Sequence, residues 1–297
     1  MNKDPKKYVF VGNREYVLRE MIRMNLNIEA VFVIENSYLH NRLLDDEFIK
    51  YTVISSKKQL LNSLSVLDYD VLVSNGCKYI LPIDSMRKAV YINLHPSLLP
   101  DLKGMDPVNG ACLFKRTPGA SCHLIDMGID TGFIISRVSI PLTEDIDSII
   151  LFQLCFKAEV IAFKEAYIRN YKPMEPQPVK EDAIYYSITP SDMYLQFSRG
   201  VDYVLNQSKA FGYSTKGLYF RCRGEIYKCF SVSEIVNPFV LKIAEGYKDL
   251  VVFMSVDRDV LFKLNDRVLR IGQIVLNDRM IHENDLLEQI EVFEKLS

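Results

Sequence analysis

Several features that would direct this 297-residue chain elsewhere are missing from it. No uninterrupted apolar run reaches the ~20 residues a bilayer-spanning helix needs. The first residues, Met1-Asn-Lys-Asp-Pro-Lys-Lys7, lead toward an apolar strand without a signal-peptide core, so a cytoplasmic location is expected. An excess of one charge is also absent: 36 Lys+Arg face 38 Asp+Glu, for a net charge of −2. No global field therefore draws the chain to nucleic acid or to an anionic membrane. The region from Lys180 onward is nearly balanced and makes no basic arm. The six cysteines (77, 112, 122, 155, 222 and 229) stand singly, with no Cys-x-x-Cys pair. Single cysteines in apolar segments argue against a disulfide framework and against a metal site, and read as small buried hydrophobes with reduced thiols. No Gly-x-Gly-x-x-Gly fingerprint is present, which argues against a dinucleotide cofactor. Internal repeats and low-complexity segments are absent as well.

What is present has the composition of a soluble globular protein, 48% hydrophobic and 25% charged. The length suits one large domain or two modest ones. Short apolar runs at Tyr8–Gly12, Ala30–Ile34, Tyr51–Ile54, Asp70–Ser74 and Ala89–Asn93 alternate with helical segments. Continuous apolar strands between helices predict an α/β fold, a Rossmann-like, mostly parallel sheet. Asn13 is placed to cap a helix over about 14–24. A long amphipathic helix is expected over 145–170, its apolar face at Ile149, Phe152, Phe156, Val160, Phe163 and Tyr167. Three prolines in 173–178 then suggest a linker. Thr189-Pro-Ser-Asp192 reads as the start of a helix running to about Asn206. Five short strands follow, between Leu218 and Val275, divided by turn residues. The expected division is 1–178 for an α/β catalytic domain and 179–297 for a smaller, mostly β module of helix plus strands.

The most informative stretch is Tyr91-Ile-Asn-Leu-His-Pro-Ser-Leu-Leu-Pro100. Residues two apart on a strand share a face, so Asn93 and His95 project together where a strand meets a Pro-bounded loop. Ligands of open α/β sheets bind beyond the carboxyl ends of the strands. About 30 residues on, Cys122-His-Leu-Ile-Asp-Met-Gly-Ile-Asp-Thr-Gly132 adds His123, Asp126 and Asp130. An amide donor, an imidazole and a carboxylate are the parts needed for acyl transfer through a developing oxyanion. Taken singly, each residue has a plainer reading: a strand-end Asn, a hydrogen-bonded core His, an Asx-turn Asp.

In order, Asn93, His95, Pro96, Ser97, Leu99, Pro100, Gly104, Pro107, His123, Asp130 and Gly132 resemble the signature of the formyltransferases that use 10-formyltetrahydrofolate. The likeness covers roughly residues 7–175 and weakens beyond. It implies the formyltransferase fold, and a C-terminal module similar to the OB-like one of several members. Among the carboxylates it selects Asp130 over Asp126. It implies that His95 acts with Asp130 in proton transfer from the attacking amine, a nearby carboxylate favouring the protonated imidazole. It implies that Asn93 stabilises the oxyanion, and it leaves His123 either structural or supporting. By the same resemblance the co-substrate is 10-formyltetrahydrofolate. Its pterin lies between the loop of Gly76, Cys77, Tyr79, Ile80 and Leu81 and the loop of Ile125, Asp126, Met127 and Gly128.

The acceptor is read from the stretch Asp101–Ala111, which resembles bacterial N-formyltransferases acting on nucleotide-linked amino-deoxysugars more than the basic version of methionyl-tRNA formyltransferases. The charge balance agrees, since a tRNA binder needs a basic surface to neutralise phosphates. Lys78, Arg14, Asn13, Met105 and Asp106 are the candidate acceptor contacts. Gly12 before a helix N-terminus can hold an anion, and Lys78 reads equally as a phosphate contact or a solvated surface lysine. The expected partners are thus a small nucleotide sugar and a folate, with no nucleic acid, no membrane and no metal. A homodimer is among the expectations, though the sequence itself does not set the assembly. Other readings stay open: formylation of methionyl-tRNA, hydrolysis of the formyl donor, or a non-enzymatic folate- or sugar-binding protein on the same fold.

Overall fold

The computed structural model describes residues 5–174, 176–213, 215–222, 224–257, 259–276, 279–280 and 290–291. The chain separates into two compact units. The first comprises residues 1–107, 117–141 and 151–186, and the second 108–116, 142–150 and 187–297.

The first unit is built on a seven-stranded sheet. In chain order its strands are β1 (Lys7–Gly12), β2 (Asn27–Ile34), β3 (Thr52–Ile54), β4 (Val71–Asn75), β5 (Val90–His95), β6 (Gly119–Leu124) and β7 (Ile134–Ser139), and across the sheet they run β3-β2-β1-β4-β5-β6-β7. The first five are parallel; β6 runs antiparallel to β5, and β7, antiparallel to β6, runs in the direction of the first five. The parallel strands are continuous apolar runs because both faces are covered. Tyr8 and Phe10 of β1 enter one apolar cluster with Val71, Val73, Ile92 and Leu94. Val9 and Val11 enter another with Leu72 and Tyr91. Helices α1 (Tyr16–Arg23), α2 (Tyr38–Leu43) and α3 (Lys57–Ser65) link the early strands.

Two details of the helices differ from the sequence reading. Glu15, not Asn13, stands at the N-terminus of α1, and no side chain caps it. Asn13 is instead drawn against the turn after β4, where a Cβ on Gly76 would lie 2.0 Å from Asn13 Oδ1. Helix α4 covers Pro107–Phe114 and the long helix α5 Ser148–Ile168. In α5 the buried residues are Ser148, Leu151, Cys155, Ala158, Glu159, Ala162, Phe163 and Ala166. The expected bulky face is only partly buried, and Ile149 is exposed. Small residues let the helix approach its neighbours closely, so alanine outweighs bulk in choosing the inward side.

In the second unit α6 spans Val201–Phe211. The helix expected from Thr189 is a single 3-10 turn, Pro190–Met193, although Thr189 and Asp192 do form the reciprocal cap. The buried amide of Gln207 explains the stop. It donates to the carbonyls of Asp192 and Tyr194 and accepts from the N–H of Gln196, using groups a continuing helix would have needed. The C-terminal strands are β8 (Leu218–Cys222), β9 (Glu225–Cys229), β10 (Ser231–Ile235), β11 (Val252–Val256), β12 (Asp259–Leu264) and β13 (Arg267–Gly272), with α7 (Pro238–Ala244) between β10 and β11. They pair antiparallel in two sheets, one in the order β10-β13-β12-β11 and one in which β9 lies beside β8. This is the mostly β module the turn-divided strands predict. Residues 1–4, 277–278, 281–289 and 292–297 lie outside the described residues.

Candidate active site

The site begins as one row across the sheet. Ser74 on β4 is in register with Asn93 on β5, and Asn93 with His123 on β6. Side chains directly opposite on one face of neighbouring strands touch. Ser74 Oγ donates to Asn93 Oδ1 at 2.9 Å. With its oxygen so held, the Asn93 amide must turn its nitrogen the other way, where Nδ2 lies 3.2 Å from His123 Nε2 and 3.4 Å from Asp130 Oδ1. His123 Nδ1 lies 2.7 Å from the Leu124 carbonyl. A carbonyl can only accept, so the proton sits on Nδ1 and Nε2 takes the Asn93 hydrogen.

Two residues along β5, His95 points from the same face. Its Nε2 donates to the Leu102 carbonyl at 2.9 Å, and its Nδ1 faces Asp130 Oδ2 at 3.5 Å. Both neighbours are acceptors, so a neutral ring can satisfy only one of them. The shorter contact takes the proton, which leaves Nδ1 as a basic lone pair beside a carboxylate. Burial pushes the imidazole below its ordinary value of 6.5, against the upward pull of Asp130 and the Leu102 carbonyl, and the charges of His123 and Arg14 add to the lowering. Desolvation therefore outweighs the carboxylate, and the ring is neutral at pH 7, where the sequence reading favours its protonated form. For Asp130 burial works upward, but the neighbouring His123 and His95 and the Gly104 N–H hold it down at about 2. The Gly104 N–H donates to Oδ2 at 3.1 Å. The site thus holds a neutral base next to a permanently ionised carboxylate.

Asp126, the rival carboxylate, is occupied within its own loop, where Oδ1 accepts from Thr131 Oγ1 at 2.6 Å and from the Gly128 N–H at 3.1 Å. Among the expected cofactor residues, Leu81 belongs to one apolar cluster, with Cys77, Tyr79 and Ile125 packed against it. Ile80 and Met127 are exposed. The buried Tyr79 hydroxyl has no partner among the described residues, so an apolar wall with one unspent polar atom fits a flat heteroaromatic ligand. Gly76, at φ +76°, permits the close approach of Asn13 and Arg14.

The acceptor candidates divide. Lys78 is exposed, its ammonium over the Tyr79 ring, and Met105 is exposed beside Gly104. The backbone N–H of Asp106 donates to the Tyr186 carbonyl. Arg14 is committed elsewhere: its guanidinium pairs with Glu159, a fully buried carboxyl on α5 that also accepts from Asn75 Nδ2 at 2.9 Å. Burial raises Glu159 to about 7 against the opposing pull of Arg14 and Asn75. Sequence reasoning missed Ser74 and the Leu102 carbonyl. A serine closing the otherwise apolar run Val71-Leu-Val73 was the available signal for the first. Among the described residues no group of three or more His, Cys, Asp or Glu is arranged to hold a metal ion, and no helix is long and apolar enough to cross a membrane.

Comparison with known proteins places the chain among its relatives. The sequence model of the formyl transferase family matches residues 17–166. A methionyl-tRNA formyltransferase of Orientia tsutsugamushi (strain Boryong) is 26% identical over 270 residues, which is 82% of this chain and 87% of that protein. An N-formyltransferase of Helicobacter canadensis, solved in complex with folinic acid and dTDP-3-aminofucose, matches with a TM-score of 0.67 at 19% identity, over 91% of this chain and 99% of that one. A 4-N formyltransferase from Francisella tularensis matches with a TM-score of 0.63 at 21% identity, over 73% of this chain and 93% of that one.

Proposed function

The chain belongs to the formyl transferase family, and from that premise we propose that it formylates the amine of a nucleotide-linked amino-deoxysugar, a dTDP-linked 3- or 4-amino-dideoxyhexose, in the cytoplasm, for O-antigen or other surface-polysaccharide synthesis. When bound, 10-formyltetrahydrofolate supplies the formyl group in an activated form. The observation that carries the chemistry is the buried His95, its Nδ1 3.5 Å from Asp130 Oδ2. In this reading Nδ1 accepts a proton from the acceptor amine, and the ionised Asp130 stabilises the imidazolium that results. Asn93 Nδ2, its orientation set by Ser74, exchanges its long 3.4 Å contact with Asp130 Oδ1 for the negative charge that develops on the formyl oxygen. Tyr79 and the backbone of the loops at 76–81 and 125–128 hold the folate. Lys78, Met105 and Asp106 line the way to the acceptor.

Two observations support a sugar nucleotide as acceptor. The net charge of −2 gives no overall excess of cations to neutralise a tRNA backbone. The Helicobacter canadensis enzyme that this chain follows over most of its length was solved with a dTDP-amino sugar. The methionyl-tRNA reading rests on the curated relative described above. Product analysis by mass spectrometry separates the two. With 10-formyltetrahydrofolate present, a dTDP-amino sugar should gain one carbonyl mass while tetrahydrofolate is released. Formylation of methionyl-tRNA alone would remove the sugar assignment and leave the formyl-transfer chemistry standing.

A further inference from the structure

Both residues that face the His95 ring nitrogens sit in left-handed backbone, which branched and bulky side chains avoid. Leu102, whose carbonyl takes the Nε2 proton, has φ +55°, and Asp130 has φ +53°. Such residues persist only where the surroundings over-determine them. The restraints come from residues 177–186, which begin within the expected linker and run past it. Gln177 Nε2 donates to the Asp130 carbonyl at 2.8 Å and to the Gly132 carbonyl at 2.9 Å, spending both amide hydrogens on the loop that carries the carboxylate. Lys180 Nζ and the Ile184 N–H each donate to Asp101, at 3.0 Å. Asp101 Oδ1 in turn accepts from the Leu102 N–H at 3.0 Å. Lys103 N–H donates to the Ile184 carbonyl and Tyr186 N–H to the Lys103 carbonyl, so Tyr185 is held against Lys103 by a single parallel β-bridge.

We propose that residues 177–186 form a positioning strap, in which Gln177 fixes the Asp130 loop and residues 180–186 fix the Leu102 loop on the two sides of His95. The strap has no chemical step of its own. It keeps the carboxylate within reach of Nδ1 and the carbonyl within reach of Nε2, at residues whose own backbone preferences would let them drift. Displacements of about 1 Å in such a site cost up to ~100-fold in rate. The inference rests on Asp130 being the carboxylate of the proposed reaction.

The test compares the parent full-length protein with Gln177→Met, which keeps the length and apolar stem of the side chain and removes both donors. Gln177→Leu, which also lacks both donors and adds no charge, serves as the second variant, and Asp130→Asn as the reference. Two quantities are measured: formyl-transfer turnover, and the titration of His95 followed by NMR of histidine-labelled protein. The charged groups acting on His95 are Asp130, His123 and Arg14, and of these only Asp130 pulls the titration upward. If the strap holds Asp130 in place, both Gln177 variants shift the His95 titration to lower pH, as Asp130→Asn does. Turnover then falls roughly 10- to 100-fold, with KM changing far less than kcat. Parent-like titration and turnover in both Gln177 variants, alongside losses in Asp130→Asn, would overturn the strap. Full turnover in Asp130→Asn would overturn the proposed reaction instead, and the His95 titration alone would then decide the strap.

Discussion

Asn93, His95 and Asp130 serve one transition state, so their removal should not be additive. Asn93→Ala removes a charge-stabilising donor and should lower kcat by ~100- to 1,000-fold. His95→Ala and Asp130→Ala remove the base and its charge partner, with expected losses of roughly 100- to 10,000-fold. Asp126→Ala should retain most activity, because that carboxylate is committed to Thr131 and Gly128. Ser74→Ala releases one hydrogen bond on the Asn93 oxygen. At about 1 kcal/mol for such a bond, kcat should fall about 5-fold with little change in KM. The pH profile has a fixed sign. His95 must be neutral to accept a proton, and burial holds its pKa below 6.5. The acid limb of kcat/KM should therefore lie below pH 6.5, and Asp130→Asn, which removes the upward pull, should move it lower still. A limb above 6.5 would contradict the neutral base. The three central residues were legible in the sequence because two local segments carry them. Ser74 was not, because its meaning lies in register with a strand 19 residues away. Gln177 was missed for the same reason, its bonded carbonyls lying 47 and 45 residues back.

At the scale of elements, local patterns located the parallel strands closely and the helix ends poorly. Burial on both faces leaves a continuous apolar run that any reader can find. Helix ends depend on who takes the last carbonyls, and distant side chains such as Gln207 decided that after Met193. The junction of β1, β4 and α5 shows the same dependence. Arg14 reads as a phosphate ligand in the sequence, but in the fold it is paired with Glu159. Arg14→Met should consequently act on stability, with a loss of roughly 3 kcal/mol for breaking a buried pair, more than on the Michaelis constant. The pH sign follows from Glu159. Its folded pKa of about 7 lies above the ordinary 4.5, so the native state holds an extra proton between those values. Stability from this group is thus lost as pH rises from 4.5 toward 7. Arg14 opposes that rise in pKa, so Arg14→Met should cost more at a pH of about 8 than at about 5.5, and Glu159→Gln should flatten the slope. Urea unfolding at the two pH values measures both. Equal losses at both values would separate Arg14 from Glu159.

At the scale of the whole molecule, the α/β start, the Pro-rich stretch and the β finish were all visible as changes of pattern. The grouping of residues 108–116 and 142–150 with the C-terminal unit was not, since no local composition marks which unit a short segment joins. Composition also limits the acceptor. A chain at net −2 that used tRNA would have to gather its cations locally, and its activity would fall steeply with salt as counterions are retained. A small sugar nucleotide needs only one or two cations, so formyl transfer should lose no more than a few-fold between ~50 and ~200 mM salt. The most direct measurement is a competition in one tube. The parent protein, 10-formyltetrahydrofolate, a mixture of dTDP-linked 3-amino- and 4-amino-dideoxyhexoses and methionyl-tRNA are incubated together, and formylated products are counted by mass spectrometry beside His95→Ala and Asp130→Ala. The account predicts formyl on a sugar nucleotide, none on the tRNA, and neither product from the variants. Formyl on methionyl-tRNA alone, or undiminished product from both variants, would contradict it.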